Sequence, residues 1–170
     1  MSPVVDGVVR VERSLSATPE QVWRAFTDPT AMAAWMWAGI GESPRATSDV
    51  RPGGRYRVVI DDTPGKDGWA SGERAFEGTY AVVEAPARLV YTLHWDAPVG
   101  YNQTGESVSD EVIEVEIESR AGSSIVRMAH MGIPGDGISL AAHDLGVQAM
   151  FDSLEEFLDN ERTPTSRSSD

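Results

Sequence analysis

The stretch Glu-Val-Ile-Glu-Val-Glu-Ile-Glu, residues 111–118, has the cleanest alternation of apolar and acidic side chains in the sequence. In an extended chain Ile113, Val115 and Ile117 point to one side, and the intervening glutamates point to the other. This pattern is typical of an antiparallel strand with one buried and one solvated face. The apolar face of such a sheet needs a second layer to cover it.

Further strands are predicted on both sides of this stretch. Alternation or β-branched residues between turn signals indicate strands at residues 8–15, 56–60, 76–84, 88–95 and 125–131. The two strands around Ala85-Pro86 form a predicted hairpin. Between residues 43 and 131 no helix is expected.

Two short helices are predicted after the first strand. Thr18-Pro19-Glu20-Gln21 combines a capping threonine, proline at the first helical position and a glutamine that can bond back to the cap. Asp28-Pro29 repeats the start signal for a second helix with Met32 and Trp35 on its apolar side.

One long helix is predicted near the end of the chain, from Ser139 to Asn160. Its apolar residues recur at three- and four-residue spacing: Leu140, Leu145, Val147, Met150, Phe151, Leu154, Phe157 and Leu158. No other predicted element is large enough to cover the apolar face of the sheet. The sequence therefore predicts an α+β fold in which a curved antiparallel sheet of six to seven strands surrounds this helix, with a cavity at the open end.

Length and composition fit one domain. The chain has 170 residues, of which 41% are hydrophobic and 24% charged. We expect a single domain over residues 1–170, with its core at about 8–158 and a disordered tail at 161–170. Residues 96–110 are rich in Gly, Pro, Ser and Thr, and we consider a functional flap and disorder equally.

The charge and the absence of cysteine restrict the function classes. Fourteen Lys and Arg stand against 27 Asp and Glu, which gives a net charge of −13, so we expect neither nucleic acid nor a membrane as partner. Disulfides and thiolate metal sites are excluded because there is no cysteine. No signal peptide or membrane helix is recognisable, and we expect a cytoplasmic protein that is a monomer or a weak homodimer.

The three histidines, His94, His130 and His143, have no spacing typical of a metal site. A metal would need carboxylates from distant parts of the chain, so we expect no metal and no cofactor. His130 shares a strand face with Val126 and Met128, where it could contact a ligand, act as an acid or base, or be an ordinary core histidine. For His143 we favour solvent over the mouth of the cavity.

Arg13 falls on the apolar face of the first strand. A buried cation without a partner is costly. We therefore expect Arg13 to pair with a buried acid rather than to contact a ligand.

Several aromatic side chains fall at alternating strand positions or follow the short helices. Aromatics with polar atoms suit a flat, oxygenated, largely apolar ligand, although an ordinary core accounts for some of them. The predicted ligand-binding residues are Trp35, Trp37, Tyr56, Tyr80, Tyr91, Trp95, Met128, His130, Val147, Met150 and Phe151. We predict no catalytic residue and no metal ligand.

The order of several short motifs resembles a known superfamily. The matching residues are Pro19-Glu20, Val22-Trp23, Asp28-Pro29, Trp35, the run Asp49-Val50-Arg51-Pro52-Gly53-Gly54-Arg55-Tyr56, Gly78-Thr79-Tyr80, Pro86, Arg88-Leu89-Val90-Tyr91-Thr92 and His130-Met131-Gly132. They resemble the SRPBCC (START-like, helix-grip) superfamily, in the branch related to the C-terminal domain of the heat-shock-chaperone ATPase activator. The resemblance covers about residues 8–158 and implies the helix-grip fold.

The resemblance also suggests functions. The superfamily contains lipid and polyketide binders, cyclases, co-chaperone domains and resistance proteins, so the fold alone does not decide among them. Relatives often carry Gly-Trp in the final helix where this chain has Gly146-Val147, which implies a roomier pocket.

We favour a protein that binds a hydrophobic or aromatic small molecule, including the polyketide type, for carriage, sequestration or self-resistance in an antibiotic pathway. The first alternative is a cyclase or dehydratase that uses His130 as acid or base, which requires a buried His–Tyr or His–acid pair. The second is a chaperone-regulating interaction domain.

Overall fold

The computed structural model describes residues 7–36, 42–62, 72–96, 111–133 and 137–162. The elements in chain order are β1 Gly7–Leu15, α1 Pro19–Thr27, α2 Pro29–Trp35, β2 Glu42–Ser48, β3 Arg55–Asp62, β4 Gly72–Glu84, β5 Arg88–Asp96, β6 Glu111–Arg120, β7 Ser123–Ile133 and α3 Gly137–Arg162. This confirms the predicted α+β class.

The seven strands form one curved antiparallel sheet in the order β1-β7-β6-β5-β4-β3-β2. Except for the β1–β7 contact, all neighbours in the sheet are also neighbours in sequence. The hairpin of β4 and β5 is confirmed, as is the antiparallel pair β6 and β7, in which Ile113 lies opposite His130. In the described part of the chain no helix falls between residues 43 and 131.

The two short helices begin at the predicted caps. The Thr18 side chain accepts a hydrogen bond from the Gln21 backbone N–H at 3.2 Å, and the Gln21 side chain accepts one from the Thr18 backbone N–H at 2.8 Å. Asp28 caps α2 in the same way through the N–H groups of Thr30 and Ala31. Each cap satisfies donors that the first helical turn leaves without a partner.

The long helix α3 packs across the apolar face of the sheet. Its buried residues Val147, Phe151, Leu154 and Leu158 recur on one side and join the sheet residues in a single core. The helix begins two residues before the predicted start and ends two residues after the predicted end, so residues 161 and 162 are helical rather than part of the predicted tail. Glu161 is half-buried and forms an ion pair with Arg24 of α1 at 3.3 Å.

The opposite face of the sheet is solvated and covered with ion pairs. Glu114 of β6 pairs with Arg88 of β5 at 2.7 Å, and Glu118 pairs with Arg127 of β7 at 2.8 Å. Opposite charges on neighbouring strands support the pairing of the strands modestly, because solvent screens them. The wet face inferred from residues 111–118 is confirmed.

Arg13 points toward α3 but does not meet a buried acid. Its guanidinium donates to Asp152 at 2.6 Å and to Gln148 at 2.8 Å, and it lies over the Phe151 ring at 5.5 Å from the ring centroid. The Asp152 side chain is 72% exposed. The predicted acid partner exists, but the prediction that it is buried is wrong, because the long arginine reaches past the core to the helix surface.

Some sequence predictions fall outside the described residues. These are Trp37, the predicted flap from residue 97 onward, and the tail from residue 163 onward. Among the described helices none combines the length and the apolar character needed to cross a membrane.

Two glycines give a matched test of this packing. A Cβ on Gly78 of β4 would lie 1.9 Å from the backbone oxygen of Thr92, whereas a Cβ on Gly146 of α3 would meet nothing within 4 Å. Gly78→Ala should therefore lower the free energy of unfolding by about 1–3 kcal/mol. Gly146→Ala should raise it by up to about 1 kcal/mol, because alanine is the better helix former.

Urea unfolding of both variants and the wild type measures the difference. Equal stability of the two variants would contradict the close approach of β4 and β5 at Gly78.

Candidate functional site

A buried carboxylate lies at the start of β6. The alternation that turns Ile113, Val115 and Ile117 inward also turns Glu111 inward, and this residue is only 3% exposed. Sequence reasoning missed it, although its position in the period-two pattern was a usable signal. An acid on the apolar face of a strand needs partners.

The first partner is His130 of β7. Glu111 lies two residues from Ile113, which is opposite His130, so the acid and the histidine are diagonal neighbours on adjacent strands. His130 Nε2 lies 2.8 Å from Glu111 Oε2, and both side chains are buried. The inward position predicted for His130 is confirmed, and its partner comes from another strand.

The second partner is His143 of α3. Its Nε2 lies 3.1 Å from the other carboxylate oxygen, Glu111 Oε1, and its side chain is 27% exposed. The solvent position that we favoured for His143 is therefore wrong, because the second turn of α3 passes over the start of β6. The two imidazole rings are perpendicular, with centroids 5.4 Å apart.

The charge of Glu111 depends on these two contacts. Burial by itself raises the pKa of this carboxyl, but the hydrogen bonds from His130 and His143 outweigh burial and hold the pKa at about 2. Glu111 is therefore ionised at neutral pH. The sheet–helix layer thus contains one buried anion between two imidazoles, which we call the Glu–His–His cluster (Glu111, His130 and His143).

A bulge follows His130 in β7. Met131 is paired with Val8 and Ile133 with Gly7, so Gly132 between them is the extra residue, and its φ of 84° is one that glycine adopts without strain. Such bulges bend a strand and often lie beside functional sites. Here the bend occurs next to the Glu–His–His cluster.

A buried cation is found at the same end of the sheet. Arg74 of β4 is only 8% exposed and lies two residues before the core residue Phe76 in an unbroken ladder with β3, so the two share the inward face. Sequence reasoning did not select Arg74. The core between the sheet and the helices is therefore more polar at this end than at its centre.

The predicted tyrosines lie together in the centre of the core. Tyr56, Tyr80 and Tyr91 are each at most 5% exposed, and their ring centroids are 5.3 to 6.3 Å apart. The Tyr56 hydroxyl donates to the backbone oxygen of Thr92 at 2.7 Å. Burial raises the pKa of all three, that of Tyr80 to about 12, so they are neutral. The three rings contact one another, and their predicted contact with a ligand stays a prediction.

The remaining predicted ligand residues are spread over the fold. Trp35 is buried under α1, where its Nε1–H donates to the Ala25 carbonyl at 2.7 Å and its ring meets Phe26 edge-on. The core residues Met128, Val147 and Phe151 are buried, and Met150 is half-buried against them. Trp95 pairs with Phe76 through the backbone of β5.

Two clefts stand out in the described part of the chain. One, of about 420 Å³, lies between α2 and β2 and includes Pro29, Ala33 and Pro44 in its lining. The other, of about 270 Å³, lies on the outer face of the sheet near Glu12 and Arg127. Neither is lined by α3, so the cavity expected between sheet and helix stays a prediction.

The Glu–His–His cluster is capable of two kinds of chemistry. A histidine held by a carboxylate can take up or release a proton, and a buried His–acid pair is what the enzyme alternative requires. The cluster also supplies three potential metal-ligand atoms within 4.8 Å of one another. The carboxylate that a metal site would have to recruit from a distant part of the chain is thus present, and the expected absence of a metal stays a prediction.

Comparison with known proteins gives a family and a fold. No curated protein matches the sequence. Protein CV1439 from Chromobacterium violaceum is 26% identical, with a TM-score of 0.68 over 89% of this chain and 97% of that one. CalU16 from Micromonospora echinospora is 18% identical, with a TM-score of 0.61 over 92% and 79% of the two chains.

A third similar structure belongs to a larger protein. DynU16, a protein of the dynemicin biosynthetic locus, is 19% identical, with a TM-score of 0.66 over 91% of this chain and 48% of that one. At these identities CalU16 and DynU16 are evidence for the fold alone.

A family model matches most of the chain. The model is that of the "Activator of Hsp90 ATPase homolog 1-like protein" family, and it covers residues 16–159. These residues include both capped helices, strands β2 to β7 and nearly all of α3. The chain therefore belongs to the Activator of Hsp90 ATPase homolog 1-like family, within the SRPBCC superfamily that its motifs indicated.

Proposed function

We propose that this protein binds a hydrophobic or aromatic small molecule between the sheet and α3, with the Glu–His–His cluster at the polar end of the site. The observation that carries the proposal is a buried, ionised Glu111 held by two imidazoles at the edge of the apolar core. Folding alone gains little from such a cluster, because apolar residues of similar size would fill the space at lower desolvation cost.

The proposed ligand lies near the cluster rather than in the centre of the core. The centre is occupied by the three tyrosines, which contact one another. In contrast, the cluster lies at the more polar end of the core, and the apolar side chain of Val147 follows His143 by one helical turn on the same face of α3. An apolar surface beside a polar cluster is typical of a site for an amphipathic small molecule.

The chemistry of the cluster and of Arg74 favours a ligand that carries oxygen atoms. Imidazole and guanidinium groups donate hydrogen bonds to carbonyl, phenolate or carboxylate oxygens. Planar polyketides combine an apolar ring system with such oxygens. The similar fold of DynU16, from the dynemicin biosynthetic locus, supports the proposal that this chain carries or sequesters a metabolite of this class, for self-resistance in an antibiotic pathway.

A second candidate function is acid–base catalysis of cyclisation or dehydration with His130 as the acid or base. The observation that favours it is the 2.8 Å contact from His130 Nε2 to Glu111, which would orient the ring. The tyrosine that such a mechanism needs to polarise a carbonyl is not Tyr56, because its hydroxyl already donates to the Thr92 backbone.

Native mass spectrometry of the protein purified from its producing cells is the direct test for a bound metabolite. A panel of anthraquinone-type aromatic polyketides, titrated in the presence of a chelator, gives the affinities for the variants below. If neither experiment finds a compound bound at micromolar concentration, the binding proposal fails.

Filling the space beside the cluster should remove binding. Val147 lies one helical turn after His143 on the same face of α3, and it is 6% exposed. Val147→Trp should weaken binding of the best polyketide at least about tenfold and destabilise the fold by about 1–3 kcal/mol. Isothermal titration measures the affinity, and circular dichroism confirms folding.

Glu156→Trp is the matched control, because residue 156 is on the exposed side of the same helix. This variant should bind like the wild type. Equal affinity of Val147→Trp and Glu156→Trp would place the ligand elsewhere.

His130→Gln separates the binder from the enzyme. If His130 only donates a hydrogen bond to the ligand, the variant should lose at most about tenfold in affinity. If it is the acid or base, conversion of the compound should fall by about 10²–10⁴-fold with little change in affinity. Titration and product detection on the same compound measure both, and we expect the first result.

A further inference from the structure

We propose that Glu111, His130 and His143 form a binding site for one divalent transition-metal ion of the zinc type. One atom from each residue, two imidazole nitrogens and a carboxylate oxygen, lies within 4.8 Å of the others. This inference uses the same cluster as the proposed ligand site but does not depend on any organic ligand.

The distances between the donor atoms are close to those of a coordinated ion. Ligands about 2.0–2.2 Å from a tetrahedral zinc are separated from one another by about 3.3–3.5 Å. In the structure His130 Nε2 is 2.8 Å from Glu111 Oε2, and His143 Nε2 is 3.1 Å from the other oxygen, Glu111 Oε1. Coordination of a metal requires these two contacts to lengthen by a few tenths of an ångström, and donor atoms that are now up to 4.8 Å apart to come within about 3.5 Å.

The backbone fixes two of the three ligands and leaves the third adjustable. Glu111 and His130 are on adjacent strands whose register is set by the β6–β7 ladder. His143 is on α3, and its side chain is the most exposed of the three, at 27%. Rotation of this ring can bring its nitrogen to the ion, and its exposed edge gives the ion a path from solvent.

The donor set selects the class of metal. Two imidazoles with one carboxylate suit zinc and other first-row divalent ions, whereas calcium and magnesium prefer oxygen ligands alone. Three protein ligands also leave at least one coordination position free for water or for a ligand oxygen. The site therefore has the composition of an open metal centre rather than of a closed structural one.

The opposing explanation is a purely structural cluster in which the histidines do no more than neutralise a buried acid. Surface binding is the other concern, because a chain with a net charge of −13 attracts cations through its exposed carboxylates. A purely structural cluster predicts no metal binding, and surface binding predicts an affinity that does not depend on the histidines. The dependence on each of the three residues is thus the decisive measurement.

The experiment is a titration of chelator-treated, metal-free protein with zinc chloride, followed by isothermal calorimetry, and with cobalt chloride, followed by visible absorption. We expect one ion per chain with micromolar or tighter affinity. His143→Gln and Glu111→Gln should each weaken binding at least about tenfold, because even residues that only support a ligand contribute that much. His94→Gln, at an exposed histidine of β5 outside the cluster, should bind like the wild type.

His143→Gln is the decisive variant, because residue 143 is only half-buried and glutamine can still donate a hydrogen bond to Glu111. Thermal unfolding without metal confirms that each variant is folded. Zinc should raise the melting temperature of the wild type and of His94→Gln, but not that of His143→Gln. Millimolar or absent binding, or binding that persists unchanged in His143→Gln, would overturn the proposal. Since the titration contains no organic compound, its failure leaves the polyketide titration to be judged separately.

Discussion

The sheet has one apolar face, and α3 is the described element that covers it. The inward-facing apolar residues of the strands join α3 and the two short helices in a single core. A polar group on that face has few possible partners, because its neighbours are side chains of the adjacent strands and of α3. This restriction brings Glu111 of β6, His130 of β7 and His143 of α3 to one place, although they lie up to 32 residues apart in sequence.

The cluster links stability and function through one carboxylate. Removing a charge from water is costly, and Glu111 remains ionised only because two imidazoles donate to its two oxygens. The same contacts fix the orientation of His130 and join the second turn of α3 to the start of β6. A ligand or an ion that binds here has to replace these hydrogen bonds with contacts of similar strength. Specificity for such a partner would follow from that requirement.

Local patterns in the sequence predicted most of the architecture. The caps at Thr18 and Asp28 and the alternation in residues 111–118 depend on neighbours within a few residues, which is why they can be read directly. The site is different, because the partners of Glu111 are set by strand register and by the path of α3. Alternation predicts which face Glu111 occupies, but not which residues of another strand or helix meet it there. Likewise, the partner of Arg13 is 139 residues away and exposed.

The pattern of aromatic residues along a strand does not by itself distinguish a core position from a ligand contact. A buried tyrosine and a ligand-binding tyrosine have the same pattern along a strand. In the structure the rings of Tyr56, Tyr80 and Tyr91 pack against one another, which the sequence pattern does not predict. Charged residues on an apolar face are more informative, because burying a charge costs free energy unless it has a partner. Such a residue therefore predicts either a partner side chain or a functional site.

β2, one of the two edge strands of the sheet, affects how copies of this protein behave toward one another. Its residues, Glu42–Ser48, are largely polar, Pro44 lacks an N–H donor, and the pairing with β3 is irregular between Glu42 and Arg45. Arg45 reaches Glu73 of β4 at 2.7 Å and so places a charge along this border. A foreign strand would find a broken ladder and a charged side chain instead of a flat row of donors and acceptors. The segment with the weakest strand pattern in the sequence thus protects this edge of the sheet from pairing with another copy.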